Sequence, residues 1–547
     1  MTEFRAIPSA DRRWDRMGIV LLAGIAVLVA LTFRQYGNGF DAQVQDVYGK
    51  DILSWFRTDG ADHSALSFRD LYYYGGLFDT VAALANQYSP FPHWATRHLL
   101  EAACGLLGLA GAWRLGRHLG GARAGVLSLA ALALMPSYYG MMFINPKDIP
   151  FAAAAIWSTY LTTRIAETLP RPPRRLAILL GVTVGAALGV RIAGVLLLAY
   201  VGAVLATDLA IRTTAAGWTW ARAGREAAGL GVRVLLPLVL VAWVVMLVCW
   251  PWGLVAPIGH PLAALTHFSG LSNGIVTLFF GHQTSETYHP ASYLPVYVLI
   301  KLPDVVLVLL AAGLALAVAT WRQRGWRLAT PPLRLVPVLL AALFPVAYAV
   351  ATKPELYDAE RHFLFVLPPL AVLTGLAADR ILALAAGRRF ALAACTILLA
   401  AGAFRQVQAT AALHPYEYAF YNDLVGGPRG AHGQFDMEYW GTSLAEATQN
   451  LRQYLIAHHL TRSQPWRVAI CGEATQMGDA PHPLLRAEPE WNQADFFIAT
   501  PRQGCDHWLA GKVIATVSRD GVPFAIIKDL RGVQQAGRTN GKSHGKG

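Results

Sequence analysis

The sequence predicts an all-α polytopic membrane domain of about eleven transmembrane helices, followed by a small α/β domain outside the membrane. Three observations support this fold class. Hydrophobic residues make up 54% of the chain and charged residues only 15%, whereas soluble domains carry about 25% charged residues. Apolar stretches long enough to cross a bilayer recur as far as residue 405, with arginines in every second connection. Beyond residue 405 the hydrophobicity falls to that of a soluble domain.

The predicted spans are windows of about 17 to 25 mainly apolar residues, the length that crosses the hydrocarbon core as a helix. We expect helices because a lipid-facing backbone must satisfy its own hydrogen bonds. The predicted spans are 17–36, 97–116, 122–143, 149–168, 176–190, 193–211, 234–256, 295–320, 333–352, 362–379 and 389–405.

The arginines predict the orientation, because cytoplasmic connections are enriched in Lys and Arg. Arg5, Arg12, Arg13 and Arg16 precede the first span, so the N-terminus is expected in the cytoplasm. An odd number of spans then places the C-terminal domain on the periplasmic or extracellular side of the inner (cytoplasmic) membrane. The later arginine groups are Arg114, Arg117 and Arg123; Arg171, Arg174 and Arg175; Arg212, Arg222, Arg225 and Arg233; Arg322, Arg324 and Arg327; and Arg380, Arg388 and Arg389.

The formal net charge of +12 does not indicate a nucleic-acid-binding protein. A nucleic-acid site concentrates Lys and Arg in one patch or stripe. Here the basic residues occur in short groups between apolar runs. We therefore expect the membrane as a partner, and no nucleic acid.

The chain is predicted to consist of a membrane domain (1–405), an outer α/β domain (406–534) and a disordered tail (535–547) rich in Gly, Lys and Ser. The membrane domain has two long outer loops, 37–96 and 251–294. In the first loop, two segments are too short or too polar to cross and are expected to form interfacial helices, at 42–56 and 67–86. The elements expected in the α/β domain are a helix at 443–459, strands at 466–471 and 496–499, and a hairpin of 513–517 with 523–527.

Three of the five cysteines, Cys104, Cys249 and Cys395, fall within predicted spans, where they are expected to be small core residues. Cys471 and Cys505 fall in the predicted outer domain. An oxidising compartment permits a disulfide there, so a disulfide and two free thiols are both open interpretations.

Two acidic residues near span ends are the candidate catalytic groups. Asp41 opens the first outer loop, and Asp148 lies in the turn between the third and fourth spans. A carboxylate at this depth is costly unless it has a partner or a task. Asp41 could act as a general base on an acceptor hydroxyl. The alternative is that each acid caps the helix that follows it.

Cations at the same predicted depth are candidate ligands for an anionic lipid head group. Lys147 precedes Asp148, and Arg191 interrupts an apolar run at the outer turn between the fifth and sixth spans. A guanidinium there needs an anionic partner, which is either a phosphate or a carboxylate of the protein. The same layer contains Lys301, Arg361 and His362.

Histidines in the second outer loop raise a metal site as an alternative. His282, Glu286 and His289, with His260 upstream, are residue types that bind zinc. Their spacing falls in a loop flanked by Gly and Pro, so the side chains need not share a face. No metal site or cofactor is assigned, and a divalent cation stays an open alternative.

In their order along the chain, these residues resemble lipid-carrier-dependent glycosyltransferases of the C superfamily, related to protein O-mannosyltransferases and to the aminoarabinose transferases of lipid A. The resemblance covers nearly the whole chain and rests on the order of the motifs. The motifs are Phe40-Asp41, Asn145-Pro146-Lys147-Asp148-Ile149-Pro150-Phe151, His289-Pro290-Ala291-Ser292-Tyr293-Leu294-Pro295, Leu299-Ile300-Lys301-Leu302-Pro303, Arg361-His362-Phe363-Leu364 with Pro368-Pro369, His414-Pro415-Tyr416-Glu417-Tyr418 and Glu438-Tyr439-Trp440-Gly441.

The resemblance implies a glycosyltransferase C type of membrane fold and an enzyme that moves a sugar from a polyprenyl-phosphate carrier to an acceptor hydroxyl, with inversion at the anomeric carbon. The acceptor would be a lipid, a glycan or a protein at the outer face of the membrane. Asp41 would be the general base and Asp148 a second acid of the site. The implied substrate-binding residues are Lys147, Arg191, His289, Tyr293, Lys301, Arg361 and His362.

Two other classes of function stay open, a lipid or sugar transporter or flippase, and a non-catalytic membrane subunit. Transporters place polar sites near the midplane, between repeated halves, whereas here the polar residues gather at one face. In a non-catalytic subunit, Asp41 and Asp148 would only cap helices.

The arginine pattern generates a topology prediction. Tags at the N-terminus and in the loop at 322–327 should report a cytoplasmic location, and a tag after Gly547 the outer compartment, in a protease-protection or reporter-fusion assay. A cytoplasmic C-terminus would contradict the orientation and the common placement of Asp41 and Asp148.

Overall fold

Helices make up most of the chain as far as Leu413, and a domain with a five-stranded sheet follows, in a computed structural model of the protein. The structure describes residues 9–268, 274–285, 289–323, 333–460, 462–478 and 483–532. The predicted tail at 535–547 lies outside the described residues, as do Arg5, Glu286, Arg324 and Arg327.

Most of the helices follow one another with short connections. A π-helical turn at Gly231–Leu235 joins the helix Trp220–Leu230 to the helix Leu236–Leu247. The helices up to the second domain are α1 (Ser9–Thr32), α2 (Ala42–Arg57), α3 (Leu77–Ala85), α4 (His93–Gly120), α5 (Ala122–Ala133), α6 (Pro136–Met141), α7 (Asp148–Thr168), α8 (Arg174–Leu188), α9 (Val195–Ala216), α10 (Trp220–Leu230), α11 (Leu236–Leu247), α12 (Pro251–Val255), α13 (Gly259–His267), α14 (Tyr293–Lys301), α15 (Asp304–Gln323), α16 (Val336–Thr352), α17 (Leu367–Ala385) and α18 (Arg389–Leu413).

The polytopic helical membrane region is confirmed, with fewer long apolar helices than predicted. In the described part of the chain, 8 helices are long and apolar enough to cross a membrane. The predicted spans at 122–143, 149–168 and 176–190 are not among them. The eight are Asp11–Gln35, His93–Gly120, Ile192–Ala216, Trp220–Leu247, Asp304–Gln323, Leu333–Thr352, Arg361–Ala385 and Arg389–Leu413.

Prolines explain two of the differences from the predicted spans. The residue before a proline is pushed out of the helical region. Met135 accordingly has ψ 105° and separates α5 from α6 at Pro136. Leu302 has ψ 139° and separates α14 from α15 at Pro303. The predicted spans 122–143 and 295–320 are therefore each broken in two.

Helix α7 is too polar to count as a span because it lies inside the bundle, packed against α4 and α8. Its buried Ser158, Thr159, Thr162 and Thr163 donate hydrogen bonds to backbone carbonyls one turn earlier, at 2.8–2.9 Å. These bonds satisfy the hydroxyls, so the helix can be buried without an apolar surface.

The C-terminal domain contains the predicted helix and strands. Its sheet has the strand order β4-β3-β5-β7-β6, with β3 parallel to β4 and β5, and β7 antiparallel to β5 and β6. A separate hairpin, β1 with β2, lies in the second outer loop. The elements are β1 (Val276–Phe279), β2 (His282–Ser285), α19 (Gly427–Ala431), α20 (Ser443–Ala457), β3 (Trp466–Ile470), β4 (Leu485–Ala487), β5 (Phe496–Ala499), β6 (Lys512–Arg519) and β7 (Val522–Asp529).

Cys471 and Cys505 form a disulfide, with Cα atoms 6.5 Å apart. Cys471 follows β3, and Cys505 lies in a 3-10 turn at Arg502–His507 after β5. The sequence left open whether these two cysteines form a disulfide or are free thiols, and the structure contains the disulfide. The bond ties the turn that carries Arg502 to the sheet.

A buried ion-pair network fixes the first outer loop on the membrane helices. Arg97 of α4 is 1% exposed and lies 2.8 Å from Asp79 of α3 and 3.6 Å from Asp46 of α2. Asp46 also contacts His93 and Lys50. A buried cation needs such partners, so this network positions α2, whose N-terminus carries Asp41.

We predict that Arg97→Met lowers the free energy of unfolding by about 3–5 kcal/mol, because it leaves the buried carboxylate of Asp79 without its ion-pair partner. Burial already raises the pKa of Asp79 against the effect of Arg97. Loss of Arg97 raises it further, so the destabilisation should shrink as the pH is lowered and the acid takes a proton. Melting temperatures in detergent at several pH values measure this.

The matched control is Arg429→Met, which removes an exposed pair with Asp520 (side chains 72% and 38% exposed) and should change stability by less than about 1 kcal/mol. Equal melting temperatures for Arg97→Met and the wild type would contradict a structural role for the network.

Candidate active site

The carboxylate of Asp41 faces a cavity of about 430 Å³ between the membrane helices and the C-terminal domain. Five cations and three acids line it together with aromatic rings. Because the cations outnumber the acids, the cavity attracts an anion. The charged lining residues are Arg69, Lys147, Arg191, Arg361 and Arg502, with Asp41, Asp70 and Asp358.

Asp41 stands at the N-cap position of α2, yet its carboxylate accepts no capping hydrogen bond from that helix, all of whose residues the structure describes. The side chain is 38% exposed, and Oδ2 lies 3.5 Å from Nη1 of Arg361. Burial favours the neutral acid, but the nearby cations, led by Arg361 and Lys147, outweigh it and hold the pKa of Asp41 below its usual value. Asp41 is therefore ionised at neutral pH.

The loop before Asp41 is held by the C-terminal domain. The backbone N–H of Phe40 donates to the carbonyl of Trp440 at 3.1 Å. A Cβ on Gly39 would lie 2.2 Å from the Trp440 ring, so only glycine fits this approach. The position of Asp41 thus depends on both domains.

Arg361 is the central cation of the cavity and is 7% exposed. Its guanidinium lies 3.4 Å from Asp358 and stacks 4.9 Å from the ring centres of Tyr357 and Trp440. Asp358 also pairs with Arg502 at 2.7 Å. The result is a chain of alternating charges from Arg502 through Asp358 and Arg361 to Asp41.

Lys147 also lines the cavity, with Nζ 3.8 Å from the centre of the Tyr74 ring. Burial lowers the pKa of Lys147 to about 8, against the opposing effect of Asp41. Oδ1 of Asn145 accepts hydrogen bonds from the backbone N–H groups of Lys147 and Asp148, at 3.2 and 2.8 Å. Asn145 thus binds the first backbone N–H of α7, and Asp148 is the first residue of that helix and not its cap.

Asp148 and Arg191 form an ion pair at 2.8 Å. Asp148 is 3% exposed and also accepts from Asn145 at 2.9 Å. The side chain of Arg191 is 20% exposed and lines the cavity. Arg191 thus has the carboxylate partner considered from sequence, and it still reaches the cavity where a phosphate could bind.

Three of the residues expected at the site lie elsewhere. His289 Nε2 lies 2.6 Å from the carbonyl oxygen of Pro354. The hydroxyl of Tyr293 accepts from the N–H of Ala359 at 3.2 Å. Lys301 is buried and donates to the carbonyl of Tyr418 at 2.7 Å. Their contacts are with the protein itself, and the lining of the cavity does not include them.

His362 does line the cavity, with its ring edge against Tyr357 at 4.8 Å between centres. Among the described residues, no group of three or more His, Cys, Asp or Glu side chains is arranged to hold a metal ion. The suggested set at 282–289 includes Glu286, which lies outside the described residues.

Sequence reasoning missed Asp358 and Arg502 as parts of the site. Asp358 lies three residues before Arg361, a spacing that could have indicated an ion pair. Arg502 carried no comparable signal, because its place depends on how the C-terminal domain folds. Tyr439 and Trp440 belonged to a recognised motif but had no assigned role.

One segment of the chain matches a known protein family. Residues 81–228 match the family of dolichyl-phosphate-mannose-protein mannosyltransferases. This match confirms the resemblance to lipid-carrier-dependent glycosyltransferases over a segment that contains Lys147, Asp148 and Arg191. No protein with a curated description matches the chain.

Solved structures with a similar arrangement have low sequence identity. One is ArnT from Cupriavidus metallidurans in the apo state, with 16% identity and a TM-score of 0.48 over 95% of this chain and 98% of that one. The same protein bound to undecaprenyl phosphate has 15% identity and a TM-score of 0.47 over 93% and 97%. An oligosaccharyltransferase from Archaeoglobus fulgidus has 13% identity and a TM-score of 0.46 over 87% and 65%.

We predict that anion binding in the cavity weakens as the pH rises through and above about 8, because Lys147 then loses its charge. Sulfate is a suitable probe since it does not titrate in this range. Its affinity by calorimetry should fall about tenfold between neutral and strongly basic pH, the value of one charge-assisted contact. Lys147→Arg keeps its charge and should abolish most of this dependence. An unchanged pH profile in the variant would assign the effect to another group.

Proposed function

We propose that the protein is an integral membrane glycosyltransferase that moves a sugar from a polyprenyl-phosphate carrier to a hydroxyl of a lipid, glycan or protein acceptor, with inversion. One observation carries the proposal. An ionised carboxylate, Asp41, and several cations face one cavity where the membrane helices meet the C-terminal domain. The family match over residues 81–228 supports the same class of reaction.

Asp41 acts as the general base in this mechanism. It takes the proton of the acceptor hydroxyl, and the oxygen forms a bond to the anomeric carbon from the face opposite the phosphate. The bond between that carbon and the phosphate oxygen breaks, and its electron pair stays on the phosphate. Inversion follows because a single displacement takes place.

The cations stabilise the negative charge that develops on the departing phosphate. Arg361 is suited to this task, because Asp358 and two aromatic rings fix its guanidinium. Lys147 and Arg191, which also line the cavity, supply further positive charge. Asp148 acts through Arg191, which it holds at 2.8 Å, and is therefore a positioning residue.

The proposed location is the inner (cytoplasmic) membrane, with the cavity and the C-terminal domain on the outer side. The arginine pattern of the connections supports this orientation. A polyprenyl carrier would keep its chain among the lipids and its phosphate at the boundary, which is where the cations gather.

Asp41→Asn tests the proposal, because the amide keeps the shape of the side chain but cannot take a proton. We expect the variant to fold, to retain binding of undecaprenyl phosphate in nanodiscs, and to lose sugar transfer by about 10²-fold or more. Transfer is measured by mass spectrometry of lipids and glycans from cells that lack the gene and carry each variant.

Asp51→Asn is the matched control, since Asp51 lies on the same helix and outside the cavity lining. It should transfer sugar at the wild-type rate. Near-normal transfer by Asp41→Asn would remove Asp41 from the mechanism. Lipid translocation without any glycosylated product in the wild type would favour the transporter alternative.

A further inference from the structure

The second outer loop begins with a pair of short helices, α12 and α13, in a stretch without charged residues. No Asp, Glu, Lys or Arg occurs between Arg233 and Glu286. The first part of this stretch completes the membrane span that ends at Leu247, and α12 begins directly after it at Pro251. A water-exposed protein surface is about 25–35% charged, so the composition of this pair is that of a lipid-facing element.

The pair also exposes large apolar side chains. Val255 is 58% exposed, Ile258 70%, Leu262 56% and Leu265 41%. The last three are spaced four and three residues apart, which places them on one face of α13. A contiguous apolar face of this kind marks an interaction surface.

The opposite face of the pair packs on the protein through aromatic and small residues. Pro261 and Ala264 of α13 are buried. His267 of α13 stacks on Tyr73 with ring centres 3.8 Å apart, and Trp252 of α12 packs edge-on against the same ring at 4.9 Å. The helix therefore has a fixed orientation, with its apolar face directed away from the protein.

This packing connects the pair directly to the cavity. Phe268, which follows α13, contacts the ring of Tyr74 at 4.4 Å between centres. Tyr74 lines the cavity, and its ring lies 3.8 Å from Nζ of Lys147. A displacement of α13 would therefore reach the wall that holds Lys147.

We propose that the apolar face of α12 and α13 lies in the membrane interface on the side of the cavity, in contact with lipid acyl chains. Continuity with the span ending at Leu247 and the absence of charge select lipid over a protein partner as the occupant. The pair then anchors the cavity wall at the lipid surface. An effect of this anchor on the binding of a lipid-linked substrate rests on the proposed function, whereas the membrane contact itself does not.

Nitroxide labels on single cysteines in nanodiscs test the membrane contact, with Cys104, Cys249 and Cys395 replaced by serine. A label at Leu262→Cys should collide more with oxygen than with a water-soluble nickel chelate, as should a label at Leu398→Cys in the span of α18. A label at Val513→Cys on the C-terminal domain, 51% exposed, should show the opposite ratio. A Leu262 label that behaves like the Val513 label would overturn the proposal. If the Leu262 label collides with the nickel chelate and is shielded from it only after cell extract is added, a protein and not lipid covers this face.

The double variant Ile258→Asp with Leu262→Asp tests the connection to the cavity. Its affinity for undecaprenyl phosphate should be about four- to fifteenfold weaker, the value of one or two lost methylene contacts with lipid, and its melting temperature should be that of the wild type. Val513→Asp, which places the same charge on the C-terminal domain, should bind normally. Normal binding by the double variant would overturn the connection. If the wild type does not bind undecaprenyl phosphate, the proposed function fails, while the label measurement still decides the membrane contact.

Discussion

The buried guanidinium of Arg361 is the constraint on which the site depends. A cation that is 7% exposed must be neutralised by nearby carboxylates, and Asp358 and Asp41 occupy those positions. Arg502 of the C-terminal domain in turn neutralises Asp358. Separating the two domains would break the pair of Arg502 with Asp358 and remove the Trp440 ring from the Arg361 guanidinium. The same interactions therefore hold the domains together and shape the cavity.

The sequence allowed the depth of the site to be predicted, but not its position around the helical bundle. Hydropathy and arginine placement located Asp41, Lys147, Arg191, Arg361 and His362 in one layer, and all five line one cavity. Lys301 was assigned to the same layer, and the resemblance implied His289 and Tyr293 as substrate-binding residues, but none of the three lines the cavity. Hydropathy locates the ends of the spans, and so indicates how deep a residue lies along the membrane normal. It carries no information on which helices are neighbours within the layer.

The limits of the fold prediction have a related cause. An apolar run identifies a helix that faces lipid. Helix α7 faces other helices and contains hydroxyls that are hydrogen-bonded within it, so it was predicted as a span although it is less apolar than a lipid-facing helix. The breaks at Pro136 and Pro303 follow from a local rule, the effect of a proline on the residue before it, and this rule could have been applied to the sequence. Arg502 could not have been found this way, because it reaches the cavity only through the sheet and the turn of the C-terminal domain.

The disulfide between Cys471 and Cys505 bears on the order in which a newly made chain becomes competent. Ribosomes release the membrane helices first, and domains fold in that order. At that stage Asp41 and Arg361 are present, but Trp440 and Arg502 are not yet in place beside them. The cavity is complete when the last-made domain has folded, and the disulfide then ties the turn of Arg502 to the sheet. In a nascent polypeptide, or one whose Cys471 and Cys505 stay reduced, the bond that ties the turn of Arg502 to the sheet is therefore missing, so oxidation is a late step in completing the site.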